Sequence, residues 1–310
     1  MTWVLWRQHR AQAVVAAVLL VLFAIAVAIT GVSMANTYAS ATRACGGSNL
    51  CIPGHLFNGD GAIIDLVHLT IAVPLVLGVF LGATLIARET EHATNVPAWT
   101  QSVTRRHWLY SKVATALGAA LVISAAVSAL VTWWSSTTNS LNGDRFHGAQ
   151  FDTQNIAPAA FAVFGVALGM AMGALFRRTL PAIAATVLGY VAVRMVIGVY
   201  ARPNYLDAVT TTTAAGVDPN VPSGSWILSQ DIVEPNGQAV SGPIRVPDTC
   251  QGPTGKVNGN CLDQLGFRTV VTYHPASQYW SFQWIETGIF LALAAGLVAL
   301  TIVWTLRHDA

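Results

Sequence analysis

Six long apolar stretches decide what this chain can fold into. A helix that crosses a bilayer needs about 20 predominantly apolar residues at 1.5 Å rise each. Such stretches run roughly Ala13–Met34, Ile63–Ala87, Tyr110–Trp134, Ile156–Phe176, Leu180–Ala201 and Trp284–Leu306. Of the 310 residues, 54% are apolar and 10% charged, against about 25% charged in an average soluble domain. The chain reads as an all-α membrane protein with six transmembrane helices. This composition excludes a water-soluble enzyme and a disordered chain. A net charge of +2 is too small for the electrostatic footprint of a nucleic-acid binder, so no nucleic-acid partner is expected. The first stretch ends near Ser33 and Ala35, which resemble a signal cleavage site. Its apolar run exceeds the roughly 7–15 residues of a signal peptide, so it is read as an uncleaved anchor.

Basic residues of short loops set orientation. With the N-terminus inside, the inner side holds Arg7, Arg10, Arg88, Arg105, Arg106, Lys112, Arg177, Arg178 and Arg307 against Glu89, Glu91 and Asp309. The outer side holds Arg43, Arg145, Arg202, Arg245, Lys256 and Arg268 among a larger set of acids that includes Asp60, Asp144, Asp152 and Asp231. Both termini are therefore expected in the cytoplasm. Cys45 and Cys51 fall in the first outer loop, and Cys250 and Cys261 in the last. An oxidising exterior permits disulfides. Four cysteines allow three pairings; the shortest loops are closed by Cys45–Cys51 and Cys250–Cys261. No histidine stands at ligand spacing beside either pair, so no metal is expected.

The chain divides accordingly. Residues 1–12, MTWVLWRQHR and the two that follow, place Trp3 and Trp6 beside Arg7 and Arg10. They suit a short amphipathic helix on the inner membrane surface, or an ordinary basic flank. Residues 13–201 carry the first five spans, residues 202–283 an outer segment, and residues 284–310 the sixth span and an inner tail. A structureless loop of about 80 residues is improbable in a compact protein. The outer segment is expected to be a small folded cap of short strands or helices, stapled by Cys250–Cys261. In the fourth span Gly165, Gly169 and Gly173 recur every fourth residue, leaving a flat face for close helix approach, within the chain or between chains. Arg177 and Arg178 mark a tight turn between the fourth and fifth spans.

The sequence lacks the usual catalytic arrangements. Gly255 and Lys256 stand together in QGPTGKVNG, but Cys250, just before it, falls where a phosphate-binding loop needs its first glycine, and Val257 where it needs Ser or Thr. Neither HExxH nor GxSxG occurs, and no Ser/His or paired-Asp signal for intramembrane hydrolysis stands out. Ionisable residues within spans cost about 2.5–3.5 kcal/mol near a helix centre. Asp65 and His68 share a face of the second span, Arg194 lies in the fifth, and Glu286 opens the sixth. An Arg194–Glu286 pair would spare each an isolated charge. The set would line a polar outer vestibule or proton path, or simply tie helices together.

The stretch after the second span is the most specific. RETEHAT (Arg88–Thr94) followed by PAWTQSVTRRHWLYSK (Pro97–Lys112) resembles the RExExGT…SVSRxxxLxxK region of the ABC-2 type permease family. AWTQSVTR is similar to actinobacterial members. Ala93 stands where the family often has glycine. The resemblance implies the ABC-2, type V exporter-like permease fold with a large extracellular domain between helices 5 and 6. It implies the transmembrane subunit of an ATP-driven exporter, multi-pass in the plasma membrane, here a bacterial inner membrane. Two permease chains, the second an identical copy, would pair with two copies of a separate ATPase that holds ATP and Mg; this chain would hold no cofactor. Residues 88–109, with Glu89, Glu91, Thr94, Trp99, Ser102, Arg105 and Arg106, would be the coupling segment that docks on the ATPase. Residues 1–12 would be the interfacial elbow helix. The second and fifth spans, with Pro74 and Arg194, would form the dimer interface. Apolar spans with few buried charges suit a hydrophobic or amphipathic cargo such as an antibiotic, peptide or lipid-like molecule. The competing reading is a non-transporting sensor or assembly protein that binds a ligand through its outer domain.

Overall fold

The computed structural model describes residues 2–45, 65, 67–91, 105–142, 145–146, 148–235, 237, 250 and 259–308. In chain order the helices are α1 (Thr2–Ala44), α2 (Val73–Leu77), α3 (Thr84–Glu91), α4 (Arg105–Asn142), α5 (Gly148–Thr153), α6 (Ala157–Phe176), α7 (Thr179–Val196), α8 (Gly259–Gln264) and α9 (Tyr279–His308). The strands are β1 (Val209–Ala214), β2 (Trp226–Val233) and β3 (Arg268–His274). Six helical segments are long and apolar enough to cross a membrane: Ala17–Ala44, Val67–Arg88, Leu109–Ser136, Ala157–Phe176, Thr179–Asn204 and Ala276–Arg307. Two compact units divide the chain. One is Met1–Leu141, Gly148–Met195 and Gln283–Ala310; the other is Asn142–His147 and Val196–Phe282.

In the first unit α1 is one helix across the boundary expected at residue 12. No glycine or proline precedes Gly31 within it to interrupt the backbone ladder. The second span is irregular. A 3-10 turn (Thr70–Ala72) leads into α2, a π-helical turn (Gly78–Ala83) follows, and α3 completes it. Pro74 sits in the first turn of α2, where its missing N–H costs nothing.

The π turn meets the glycine face of α6. A Cβ on Gly78 would stand 2.7 Å from the Gly165 carbonyl oxygen, and one on Gly82 2.6 Å from that of Val166. Reciprocally, a Cβ on Gly165 would stand 2.7 Å from the Pro74 oxygen, and one on Gly173 2.9 Å from that of Ala83. A Cβ on Gly169 would collide with Gly78 and Ala83. The glycine run is thus a contact within the chain, between the second and fourth spans. Lipid tails compete for apolar side chains as well as leucine does, so association in a bilayer depends on such close packing.

α6 is enclosed on its other sides too. Ala162, Val166, Met170 and Ala174 pack with Leu109, Val113, Ala116 and Ala120 of α4 and Ile86 of α3. Phe161 and Phe164 meet Phe290 of α9 edge to face, and Phe164 stacks on Tyr190 of α7. α1 instead joins α4 through Val27, Met34, Val131 and Trp134, with the Trp134 indole donating to Thr30 Oγ1 at 3.2 Å.

The second unit carries a three-stranded antiparallel sheet in the order β1-β3-β2, so the chain as a whole is not all-α; short strands are among the elements expected of residues 202–283. β3 is central, and Thr211 pairs with Val271 on one side while Gln230 pairs with Val271 on the other. Threonine, valine and isoleucine fill these strands, the β-branched types that fit a pleated surface. Phe146, Trp226, Tyr279 and Phe282 pack as an aromatic cluster. His274 is buried against it, its ring nitrogens 2.9 Å from Gln278 Oε1 and 3.0 Å from the Pro203 oxygen. The Cys250–Cys261 disulfide packs with Ala215 and Leu262. Cys45 is also disulfide-bonded; its expected partner, Cys51, lies outside the described residues.

Candidate functional site

A charged centre is built among the helices of the first unit. Arg194 sits near the end of α7, four residues beyond Tyr190. Its Nη1 donates to Glu286 Oε1 of α9 at 2.9 Å, and its Nη2 lies 2.7 Å from Asp152 Oδ2 of α5. Glu286 is fully buried, and the other two side chains are almost so. The guanidinium carbon lies 3.7 Å from the Phe161 ring centroid and 5.5 Å from that of Phe290, so the cation is also attracted by the ring faces. A guanidinium forks towards two carboxylates at once, which a lysine ammonium could not match in geometry. Three helices are tied at one point.

Beside it the chain breaks between α5 and α6, where Asn155 adopts φ 63°. Backbone polar groups freed within a membrane-spanning bundle must find partners inside the protein. Here α4 and α9 supply them. Ser124 Oγ donates to the Pro158 oxygen at 2.9 Å and Ser128 Oγ to the Asn155 oxygen at 2.7 Å. Asn155 N–H donates to Thr132 Oγ1 at 2.9 Å. Gln283 of α9 accepts from the Ala157 amide at 2.9 Å and donates to the Phe151 oxygen at 3.2 Å. Asn139 Nδ2 donates to Gln154 Oε1 at 2.9 Å. Ser124, Ser128 and Thr132 are four apart, so one face of α4 carries all three.

A second constellation lies at the opposite end of α7. Glu91 is the last described residue of α3, and its Oε2 accepts from both the amide and the hydroxyl of Thr179, at 2.9 and 2.6 Å. Thr179 is the first residue of α7. Before it, α6 ends on Arg177 in the left-handed conformation (φ 52°), whose N–H donates to the Gly173 oxygen at 3.0 Å. The turn between α6 and α7 is therefore as short as the sequence implies.

Of the residues singled out from the sequence, the structure brings Arg194 and Glu286 together and joins Glu91 to α7. Asp65 is exposed and His68 half-buried at the start of the second span; neither bonds to Arg194 among the described residues. Arg106 is exposed in the first turn of α4, which Arg105 opens. Glu89 belongs to α3, and Trp3, Trp6, Arg7 and Arg10 to α1, by backbone alone. Thr94, Trp99 and Ser102 lie outside the described residues. Asp152 reads in the sequence only as one of the outer acids, whereas the structure seats it on Arg194; the polar residues around the α5–α6 break carry no assignment in the sequence. The signal was present: DTQN immediately before an apolar run starting with Ile156 and Pro158. No metal-ligand cluster occurs among the described residues.

Six apolar helices holding a buried ion-pair centre define a multi-pass membrane protein. Residues 17–202 match the family model described as ABC-2 membrane transporter related, and the chain belongs to that family of transporter permeases, as a transmembrane component and not a catalytic one. No curated protein and no solved structure matches the chain.

Proposed function

We propose that this chain is the transmembrane permease subunit of an ATP-driven exporter, working with two copies of a separate ATPase and a second, identical permease chain. ATP and Mg bind the ATPase. The family match over residues 17–202 carries the reading. Both termini face the cytoplasm of a bacterial inner membrane, and residues 202–283 lie outside. The Cys250–Cys261 bond supports that side for the segment, because disulfides persist in oxidising compartments.

Residues 88–109 act as the coupling segment, with Glu89, Glu91, Thr94, Trp99, Ser102, Arg105 and Arg106 in or beside the ATPase contact. Exposure of Arg106 suits pairing with acidic groups of a partner. The cargo is a hydrophobic or amphipathic compound. Apolar side chains predominate in the spans, and the centre at Arg194 has its charges opposed by others of this chain.

The test is recovery of tagged chain in mild detergent, with identification of partners and assay of ATP hydrolysis. A stoichiometric ATP-binding subunit, lost when residues 89–106 are altered, is the expected result. Recovery of the chain alone across several detergents would overturn it and favour a sensor that uses its outer domain.

A further inference from the structure

The Glu91 carboxylate, on the last described residue of α3, bonds the start of another helix. The first four amides of an α-helix have no intrahelical partner. A carboxylate beside them gains from charge-assisted hydrogen bonding and from the helix dipole. At α7 that carboxylate comes from the end of the second span, 88 positions away in sequence. The segment that leads into residues 92–104 therefore holds the start of the fifth span.

α7 then runs without interruption from Thr179 to Val196. Ala182, Thr186 and Tyr190 are buried at every fourth position, and Arg194 continues that series to Asp152 and Glu286. One helix thus joins the Glu91 contact to the charged centre over about 22 Å, fifteen residues at 1.5 Å each. Its opposite face is open, with Leu180, Leu188 and Met195 exposed. A helix held by a narrow stripe on one side, with its other face outside the packing of this chain, can shift as a rod.

We propose that Glu91 is the joint through which movement of residues 88–109 is handed to α7, and that α7 delivers it to Arg194. The proposal rests on the reading of residues 88–109 as the coupling segment. At the far end, a guanidinium between two carboxylates answers displacement by strengthening one charge-assisted hydrogen bond at the expense of the other. Glu91 acts through α7 and is a positioning residue.

The test uses the full chain with its copurified ATPase subunit in lipid nanodiscs. Backbone hydrogen exchange of peptides covering 186–196 is compared with and without ATP and vanadate. The wild-type complex is expected to change its exchange there on trapping. Glu91→Ala is expected to diminish that change about fivefold or more, the lower end of ordinary coupling factors, with the ATPase subunit still bound. Should the alanine variant not assemble, Glu91→Met, which keeps the length of the side chain and removes the carboxylate acceptor, carries the same comparison. A second variant, Glu91→Ala with Thr179→Asp, returns a carboxylate to the helix start on α7 itself, restoring the cap without the link. It is expected to regain the thermal stability lost by Glu91→Ala and to stay unresponsive. Thr179→Ser keeps both donors and is expected to retain stability and response.

A response fully restored in the double variant would mean that Glu91 merely stabilises α7, and would overturn the proposal. So would an undiminished response in Glu91→Ala. An active wild-type complex with no change at 186–196 would remove the joint and leave the permease reading standing. Failure to recover any ATPase subunit with the wild-type chain would overturn that reading and the joint with it.

Discussion

The first and fourth spans are both uninterrupted apolar helices, and the more apolar of the two is the less buried. α6 buries fifteen of its 20 residues. From Ala17 onward α1 buries Val27, Gly31 and Met34 among its described side chains, while Leu19, Leu22 and Ile29 are exposed. In water this ranking would be inverted, because apolar area is what drives burial. In a bilayer hydropathy records only that a helix enters, since lipid satisfies leucine as well as protein does. Position within the bundle follows from shape and polarity. α6 has glycines that admit another backbone, aromatic rings that back a guanidinium, and an N-terminal end whose carbonyls and amides are served by neighbours. α1 has mainly branched side chains turned to lipid.

Substitutions can sharpen or break this contrast. The largest effect is expected at the charged centre that rests on Phe161. Arg194→Leu leaves the Asp152 and Glu286 carboxylates without the cation that stands between them, and should destabilise the detergent-solubilised chain by about 3–5 kcal/mol, read from denaturant unfolding. Next comes the glycine face. Gly169→Val drives a branched side chain into the Gly78 and Ala83 backbone, and should cost about 1–3 kcal/mol or prevent assembly; a melting temperature equal to wild type would refute the close contact.

A smaller loss is expected around the break before α6. Ser128→Ala removes the donor to the Asn155 oxygen and should cost about 1 kcal/mol, seen also as faster hydrogen exchange at residues 154–158. The smallest belongs to α1. Leu22→Ala, on a lipid-facing position, should change stability by less than about 0.5 kcal/mol. A loss as large as that from Gly169→Val would show that α1 is covered by something other than lipid, and the contrast would fail.

Much of the helical plan is legible in the sequence because each span announces itself by length and apolarity. The fourth span shows the limit well: its glycines declare a close contact, and nothing in their spacing names Gly78 and Gly82 as the partners. Those two glycines lie in a span whose irregular path hides the match, since a π turn changes which residues share a face. Arg194 and Glu286 are conspicuous as charges in apolar surroundings. Asp152 is not, because it lies among polar residues that read as an outer loop. Ser124, Ser128 and Thr132 are quiet for another reason. Small hydroxyls inside a helix can bond their own backbone, as Thr132 Oγ1 also does to the Ser128 oxygen at 2.7 Å, so only the fold shows which of them reach across. The sheet of the second unit is visible as threonine and valine runs, but the order β1-β3-β2 brings together strands that are distant in sequence.

The π turn at Gly78–Ala83 sets a rule about chain length. Such a turn is an α-helix carrying one residue in excess. Because the turn itself takes up that residue, deleting one there would return the stretch to regular helix with the flanking turns near their present phase, Pro74 still toward Gly165 and Glu91 toward Thr179. A residue added or removed within α3, which has no such slack, would instead rotate Glu91 by about 100° off Thr179. The span thus has room for a change of length at the π turn and none between that turn and Glu91.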